Sequence, residues 1–457
     1  MMKNGLVGVA CCLAAGGALA ATPAALERFQ DRKLGLMMHL GVYSQVGIIE
    51  SWPMSDKDAH WSRREIERDL AGKGFKEWYF DLNRSFNPVR FHPDEWAKAA
   101  EEGGFKYVIF TTKHHDGFCL YDTKQTDYKT TDPSCPYSTN RNADMVKALF
   151  DACRARKLGV TAYFSKVDWH NGDFWEDRGV GHVTDRGPTY DIKAKPEKWR
   201  RFCDFNRRQL MELATNYGPI DGFWLDGGWM SEKNGLPHDL ADVLADVRKV
   251  QPDLLFMDRG EGGACEEVIT PEQIVPDTPY ERPWESCITM AANWGYHYDD
   301  IYKDTRTLIH TLVKVVAKGG NLALNVGPMP DGRLPRPALE RMQQMGAWLR
   351  KNGDAIYGTR VEVLYKKGDW AFTRSKDGSR TFGICLWREG EFECFTSYIG
   401  KTEAPAKKPR KIVHLATGRE IPFHEVSNPA LRSEGLSLDF PADFVRDPNA
   451  DAFEWIY

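Results

Sequence analysis

The sequence predicts an α/β protein in two parts: a (β/α)8-like, TIM-type barrel over residues 22–358, then a C-terminal antiparallel β-sandwich over residues 359–457. Three observations predict it. Near-continuous apolar runs lie at 34–43, 107–112, 159–165, 222–226, 254–258 and 321–326, as strands covered on both faces require. Longer amphipathic segments alternate with them at 94–102, 143–157, 196–217, 240–250, 302–318 and 338–351, which implies βαβ units and a parallel sheet. Beyond residue 358 the texture changes to short alternating runs at 361–365, 370–374, 381–387 and 392–396. Turn clusters such as Lys376-Asp377-Gly378 separate them, the pattern of an antiparallel domain.

The helical segments carry their own signals. In 196–217, Pro196 suits the first turn, and Trp199, Phe202, Phe205 and Leu213 recur at helical spacing. Segment 338–351 runs into Asn352-Gly353, a helix stop. The Pro- and Lys-rich stretch 404–411 is expected to be a loop. At the N-terminus, Lys3 precedes an apolar run that ends Ala18-Leu19-Ala20. This is the layout of a secretory signal peptide over residues 1–21, too short to anchor the chain across a bilayer. Export is expected, to a bacterial periplasm.

Composition excludes several classes. With 61 basic and 65 acidic residues the net charge is -4, which gives no electrostatic reason to expect nucleic acid or an anionic membrane as partner. Of ten cysteines, Cys11 and Cys12 belong to the leader. The rest form no C-x-x-C pair and are too sparse for a disulfide scaffold. Whether Cys385 and Cys394 pair across neighbouring strands stays open. Aromatics at 12% suit a large core and also a site that stacks on flat ligand faces.

In a barrel, functional groups collect where strands end. The strand ends supply His39, then Lys113-His114-His115-Asp116, Tyr163 with Asp168-Trp169-His170, Asp226, and Asp258-Arg259. Ionisable groups at the ends of apolar strands are costly unless used or paired, so five in register point to a shared cleft. Asp226 stands out: it ends Phe223-Trp224-Leu225 and precedes two glycines, which let a ligand approach closely. The ordinary alternative is an Asp capping the next helix. Adjacent strand residues point to opposite faces, so one of His114 and His115 is expected to be a core histidine.

His39, His114, His115, Asp168, His170 and Asp226 could in principle build a metal centre, but the spacings H-x-H and H-E-x-x-H are missing. Phosphate-loop and dinucleotide fingerprints and G-x-S-x-G are missing too. No metal and no cofactor are therefore expected. A second acidic group follows in Thr270-Pro271-Glu272 and Pro283-Trp284-Glu285. Two carboxylates among aromatics suggest glycoside hydrolysis, one as nucleophile and one as proton donor.

These motifs resemble glycoside hydrolase family 29, the α-L-fucosidases. The likeness rests on Met37-Met38-His39-Leu40-Gly41, Thr111-Thr112-Lys113-His114-His115-Asp116-Gly117-Phe118 and Trp224-Leu225-Asp226-Gly227. It continues through Pro283-Trp284-Glu285 to Asn293-Trp294-Gly295-Tyr296, and Asn325-Val326-Gly327-Pro328. The resemblance implies a retaining exo-α-L-fucosidase working through a covalent fucosyl-enzyme intermediate, with a fucosylated oligosaccharide or glycoconjugate as substrate. Carried over, Asp226 is the nucleophile. His39, His114, His115, Tyr163 and Arg259 fall where the family binds fucose hydroxyls and holds the nucleophile, and Trp294 where it packs on the C5-methyl. Glu50 and Trp52 match a Glu-Trp pair of the family, here interrupted by Ser51. Leu40 stands where the family often has Trp. By spacing from Arg259 the acid/base is expected at Glu272, with Glu285, Glu266 and Glu267 as rivals; if not the acid/base, Glu285 is an orienting or structural carboxylate at the substrate site. Two further readings stay open: a retaining glycosidase of a related sugar such as an α-L-galactoside, and a non-catalytic carbohydrate-binding protein.

Overall fold

The computed structural model describes residues 20–457 except 64, 65, 71, 260, 261, 264, 389–408 and 429–432. Most of the expected leader, the run 392–396 and Cys394 therefore lie outside the described residues.

Seven parallel strands form one curled sheet: β1 (Leu34–Met38), β2 (Tyr107–Lys113), β3 (Gly159–Ser165), β4 (Gly222–Asp226), β5 (Leu255–Asp258), β6 (Glu285–Thr289) and β7 (Asn321–Val326). Their order is β5-β4-β3-β2-β1-β7-β6. Every residue of all seven is buried, as expected for strands with helices outside and side chains filling the barrel. Helices α1 (Pro23–Arg32) and α2 (Phe75–Phe80) flank β1 in sequence. The outer layer continues with α3 (Pro93–Glu102), α4 (Met145–Ala155), α5 (Pro196–Asn216), α6 (Leu240–Val250), α7 (Thr305–Ala317) and α8 (Arg336–Asn352).

The barrel departs from eightfold regularity between β5 and β6. Among the described residues no helix joins them. Instead, the chain after β5 runs back beside it and then along β6. Glu267 N donates to Phe256 O at 2.9 Å, Ile269 N to Pro283 O at 3.0 Å, and Gln273 N to Cys287 O at 2.9 Å. Pro271, Pro276, Pro279 and Pro283 explain why this filler is no regular strand: each removes a ladder donor. It also fixes where Glu272 stands. Strand β6 escaped the sequence reading because Glu285, Ser286 and Thr289 break its apolar run. All three are buried and hydrogen-bonded. The run expected at 34–43 stops as a strand at Met38, and the chain after Gly41 coils into a short helical turn.

The C-terminal part is an antiparallel sheet, ordered β11-β14-β10-β9-β8. Its strands are β8 (Thr359–Lys367), β9 (Trp370–Ser375), β10 (Thr381–Leu386), β11 (Lys411–His414) and β14 (Ala450–Ile456). A hairpin, β12 (Phe423–Asn428) and β13 (Ser433–Leu438), completes it. Lys411, expected in a loop, instead opens β11. One sheet face rests on α7 and α8: Trp348 Nε1 donates to Ala450 O at 2.7 Å, and Thr373 Oγ1 to Ala355 O at 2.8 Å. The other buries Trp370, Phe372, Phe453 and Trp455 beneath Leu436 and Leu438 of the hairpin. Cys385 is buried.

Candidate active site

A cleft of about 320 Å³ opens at the C-terminal end of the barrel strands. Its lining includes His39, Glu50, Trp52, His114, Tyr163, Asp226, Arg259, Glu272 and Trp294, groups that stand far apart in sequence.

Asp226 is the last residue of β4. Its Oδ2 accepts from Tyr163 Oη at 2.5 Å, and its Oδ1 accepts from Gly227 N at 2.7 Å and Arg259 Nη1 at 3.0 Å. Gly227 has φ +89°, a turn that suits glycine and aims its amide back at the carboxylate. Burial alone would raise the Asp226 pKa, but Arg259, His115 and Tyr163 outweigh it and hold the carboxyl well below the usual carboxylate range. The group is therefore an anion at any working pH.

Arg259 follows β5 directly. Its Nη1 grips Asp226 while its Nη2 pairs with Glu272, and its guanidinium lies over the Trp224 ring, 4.8 Å from the centroid. Two carboxylates thus hold one planar cation and are separated by no more than its width plus two hydrogen bonds. The Arg259 pKa is raised despite burial, chiefly by Asp226.

The three histidines are neutral hydrogen-bonding groups. Burial lowers His39 to about 4 and His115 to about 4, and takes His114 well below its ordinary value. Asn325 Nδ2 donates to Trp294 O at 2.7 Å, so its Oδ1, 2.7 Å from His39 Nδ1, accepts from that nitrogen. This leaves His39 Nε2 as an acceptor for a ligand hydroxyl. Ser165 Oγ gives its proton to Val167 O at 2.8 Å and so accepts from His115 Nδ1 at 2.7 Å. His115 Nε2 lies 3.7 Å from Asp226 Oδ2. His114 Nδ1 pairs with Ser51 Oγ at 2.7 Å.

The expectation of one hydrogen-bonded core histidine in the pair fits His115, which is buried on Ser165 beside the lining residue His114; what differs is that the two rings do not point apart. Strand β2 ends at Lys113, with a register shift between Thr111 and Lys113. The turn through Gly117, at φ +82°, then brings both rings to one side, 4.2 Å between centroids.

Glu50 lines the wall, where its Oε1 accepts from Gly295 N at 2.7 Å. Burial pushes its carboxyl up to about 7. Trp52 packs edge-on to His115 at 5.1 Å, and Trp294 lies 5.3 Å from His39.

The structure does not bring Glu285 into the cleft. It opens β6 at the far, N-terminal end of the barrel, fully buried, with Tyr107 Oη on Oε2 and Trp224 Nε1 on Oε1 at 3.2 Å. The rivals Glu266 and Glu267 are paired with Arg282 and Arg248 instead. Asp168 pairs with buried Lys113, Asp258 with Lys166, and His170 stacks on Tyr128, so these strand-end groups are structural. His114, His115 and Asp226 place possible metal-ligand atoms within 4.8 Å of one another, but Tyr163, Gly227 and Arg259 already occupy the carboxylate.

Sequence reading missed Arg186, Trp224 and Trp229 in the lining and the orienting groups Asn325 and Ser51. Trp229 stood in plain view after Asp226-Gly227-Gly228. Arg186 lies in an aperiodic segment that signals nothing.

The family model described as Alpha-L-fucosidase matches residues 19–354. The human tissue alpha-L-fucosidase is 29% identical over 385 residues, covering 79% of this chain and 76% of that protein. The rat plasma alpha-L-fucosidase is 30% identical over 355 residues, covering 72% and 70%. Among solved structures, alpha-L-fucosidase isoenzyme 1 of Paenibacillus thiaminolyticus superposes with a TM-score of 0.76 at 29% identity, over 94% of this chain and 98% of that one. A Bacteroides thetaiotaomicron alpha-L-fucosidase solved as a trapped covalent intermediate gives 0.74 at 25% identity, over 96% and 98%. With its barrel, its cleft and a family match across most of its length, the chain belongs to the alpha-L-fucosidases of glycoside hydrolase family 29.

Proposed function

We infer that the protein is a retaining exo-α-L-fucosidase that removes terminal α-L-fucosyl residues from glycans. One observation carries the reading: Asp226 is held as an anion in a blind cleft, and the cation that holds it also holds Glu272. Asp226 attacks the anomeric carbon as the glycosidic bond breaks, and Glu272, protonated when substrate is bound rather than paired as a carboxylate with Arg259, gives its proton to the leaving oxygen. Glu272, now a carboxylate, takes a proton from water, which attacks the fucosyl-enzyme. Fucose leaves, and both groups return to their starting forms. A pair bridged by one guanidinium is close, which is compatible with the about 5–5.5 Å of retaining enzymes, and the trapped covalent intermediate of the Bacteroides thetaiotaomicron relative supports retention.

His39, His114 and His115 read the ring hydroxyls, and Trp294 covers the C5-methyl. Glu50 and Trp52 complete the wall. Glu50 supports a second reading of the proton donor, since burial pushes it up to about 7 and it faces the same cleft. The testing experiment is hydrolysis of an aryl α-L-fucoside against a panel of aryl glycosides that includes the α-L-galactoside. Turnover confined to fucoside is expected; equal turnover across the panel would refute the pocket assignment. The leader at residues 1–21 supports export to a periplasm, and cell fractionation with N-terminal sequencing tests it.

A further inference from the structure

Depth orders the cleft. Tyr163 and Trp224 at its base are almost wholly buried, whereas the side chains of Glu272 and Arg186 retain 41% and 48% of their exposure. If fucose fills the base, the sugar it is released from must sit at the mouth, beside Glu272. The mouth is built on one side by Arg186 and Trp229, which pack on Trp52 and His115 from the outer side and to which the fucose reading gives no contact with the sugar.

Surface arginines are ordinarily loose, but this one is fixed by contacts from three segments. Its Nε donates to Asp58 Oδ1 at 3.0 Å, with Nη2 on the same oxygen. Its guanidinium lies over Trp52 at 5.1 Å and Trp229 at 5.2 Å, each a cation–π contact. Trp229 Nε1 donates to Arg186 O at 3.0 Å. The turn before it is tied to the segment after Trp52: Thr184 N and Oγ1 both donate to Asp56 Oδ2, at 2.8 and 2.9 Å, and Lys57 N donates to Thr184 O at 3.1 Å. Among the described residues Arg186 Nη1 has no hydrogen-bond partner. A rigid aromatic surface carrying a fixed, unspent donor is what sugar binding uses, because ordering costs are met before the ligand arrives.

We propose that Arg186 and Trp229 form the wall of a second sugar site, which takes the pyranose to which fucose is attached. The ring lies along Trp229, and a ring or hydroxyl oxygen accepts from Arg186 Nη1. The proposal rests on the fucosidase reading and adds what selects the substrate on its leaving-group side.

The test compares kcat/KM on fucosyl-galactose and fucosyl-N-acetylglucosamine disaccharides with kcat/KM on α-L-fucosyl fluoride, whose leaving group is too small to reach the wall. In Arg186→Ala the disaccharide-to-fluoride ratio should fall about tenfold or more for at least one disaccharide. Asp58→Asn, which frees Arg186 from outside the cleft, should move the ratio the same way. Partition of the fucosyl-enzyme between galactose and methanol should shift toward methanol in both variants, a readout that needs no leaving-group protonation. Damage to the fucose site would lower both substrates together. An unmoved ratio and unmoved partition would overturn the proposal, while a wild-type protein inert on fluoride and disaccharides alike would overturn the fucosidase reading itself.

Discussion

The barrel contains the same small device twice, once at each end. At the mouth, Tyr163 donates to Asp226; at the floor, Tyr107 donates to Glu285. Both carboxyls are buried, and both tyrosines stand on neighbouring strands. One difference separates them. Asp226 has Arg259 against it and is held as an anion, whereas Glu285 has only neutral donors among the described residues, and burial pushes it up to about 7. Trp224 joins the two ends: its Nε1 donates to Glu285, its ring stacks on Tyr163 at 5.3 Å, and Arg259 lies over it. A paired cation and an open side keep a buried carboxylate ionised and reachable, as the nucleophile's role proposed for Asp226 requires. Without them such a carboxyl becomes a strut.

Removing Asp226 gives the largest expected effect. Asp226→Ala should keep the fold and lose on the order of a thousandfold or more in kcat, the scale of removing a covalent nucleophile. A fluorinated fucosyl inhibitor followed by peptide mapping should label Asp226 alone. Activity within about tenfold of wild type would end the assignment.

Next in size is Glu272. Glu272→Ala should barely touch an activated aryl fucoside in its first step but cripple substrates with poor leaving groups, and azide should restore turnover as a β-fucosyl azide. Should Glu50→Ala show the rescue and Glu272→Ala not, the proton belongs to Glu50.

The strut should give a smaller effect of a different kind. Glu285→Gln replaces one carboxylate oxygen by an amide donor, so Tyr107 Oη must turn from donating to accepting while Trp224 Nε1 keeps its oxygen, a change worth roughly 1–3 kcal/mol. Trp224 then seats Tyr163 and Arg259 less well. A loss in kcat/KM of about tenfold is expected, equal for good and poor leaving groups and unmoved by azide. Azide rescue here would give Glu285 a chemical role and dissolve the contrast between the two ends.

What the sequence disclosed follows the same division. Asp226 ends its apolar run and His39 and Tyr163 lie near the ends of theirs, so reading along the strands marked them, and helices α3 to α8 announced themselves by spacing and stop signals. The parts that periodicity could not reach were set by tertiary contacts. Strand β6 is polar in sequence because its side chains are satisfied inside the barrel. Glu285 read as a cleft residue because nothing local says at which end of an unrecognised strand it lies. Arg186 came into the site only through a loop tied to distant Asp58 and Trp52. His114 lines the cleft with the His115 ring beside it because the strand ends at Lys113, before both histidines, where alternation no longer applies.

The smallest expected effect is on stability against pH, and its sign separates the two ends again. Folded Glu285 titrates at about 7 against an ordinary 4.5, so between those values the native state binds more protons than the unfolded chain. Stability must then fall as pH rises through that window. Glu50, also raised to about 7 from 4.5, acts with the same sign. The buried histidines oppose them: His39 and His115 titrate at about 4 when folded, against 6.5, so their contribution rises with pH between those values. Asp226, held far below the range, contributes stability that is lost only in strong acid. The raw melting curve therefore mixes opposing slopes below about pH 6.5, and the difference between wild type and Glu285→Gln isolates one group. That difference should change between about pH 4.5 and 7, the wild type losing Tm relative to the variant as pH rises, and should be flat above. A difference independent of pH would mean that Glu285 does not titrate in this window, and that burial without a cation is not what distinguishes the floor of the barrel from its mouth.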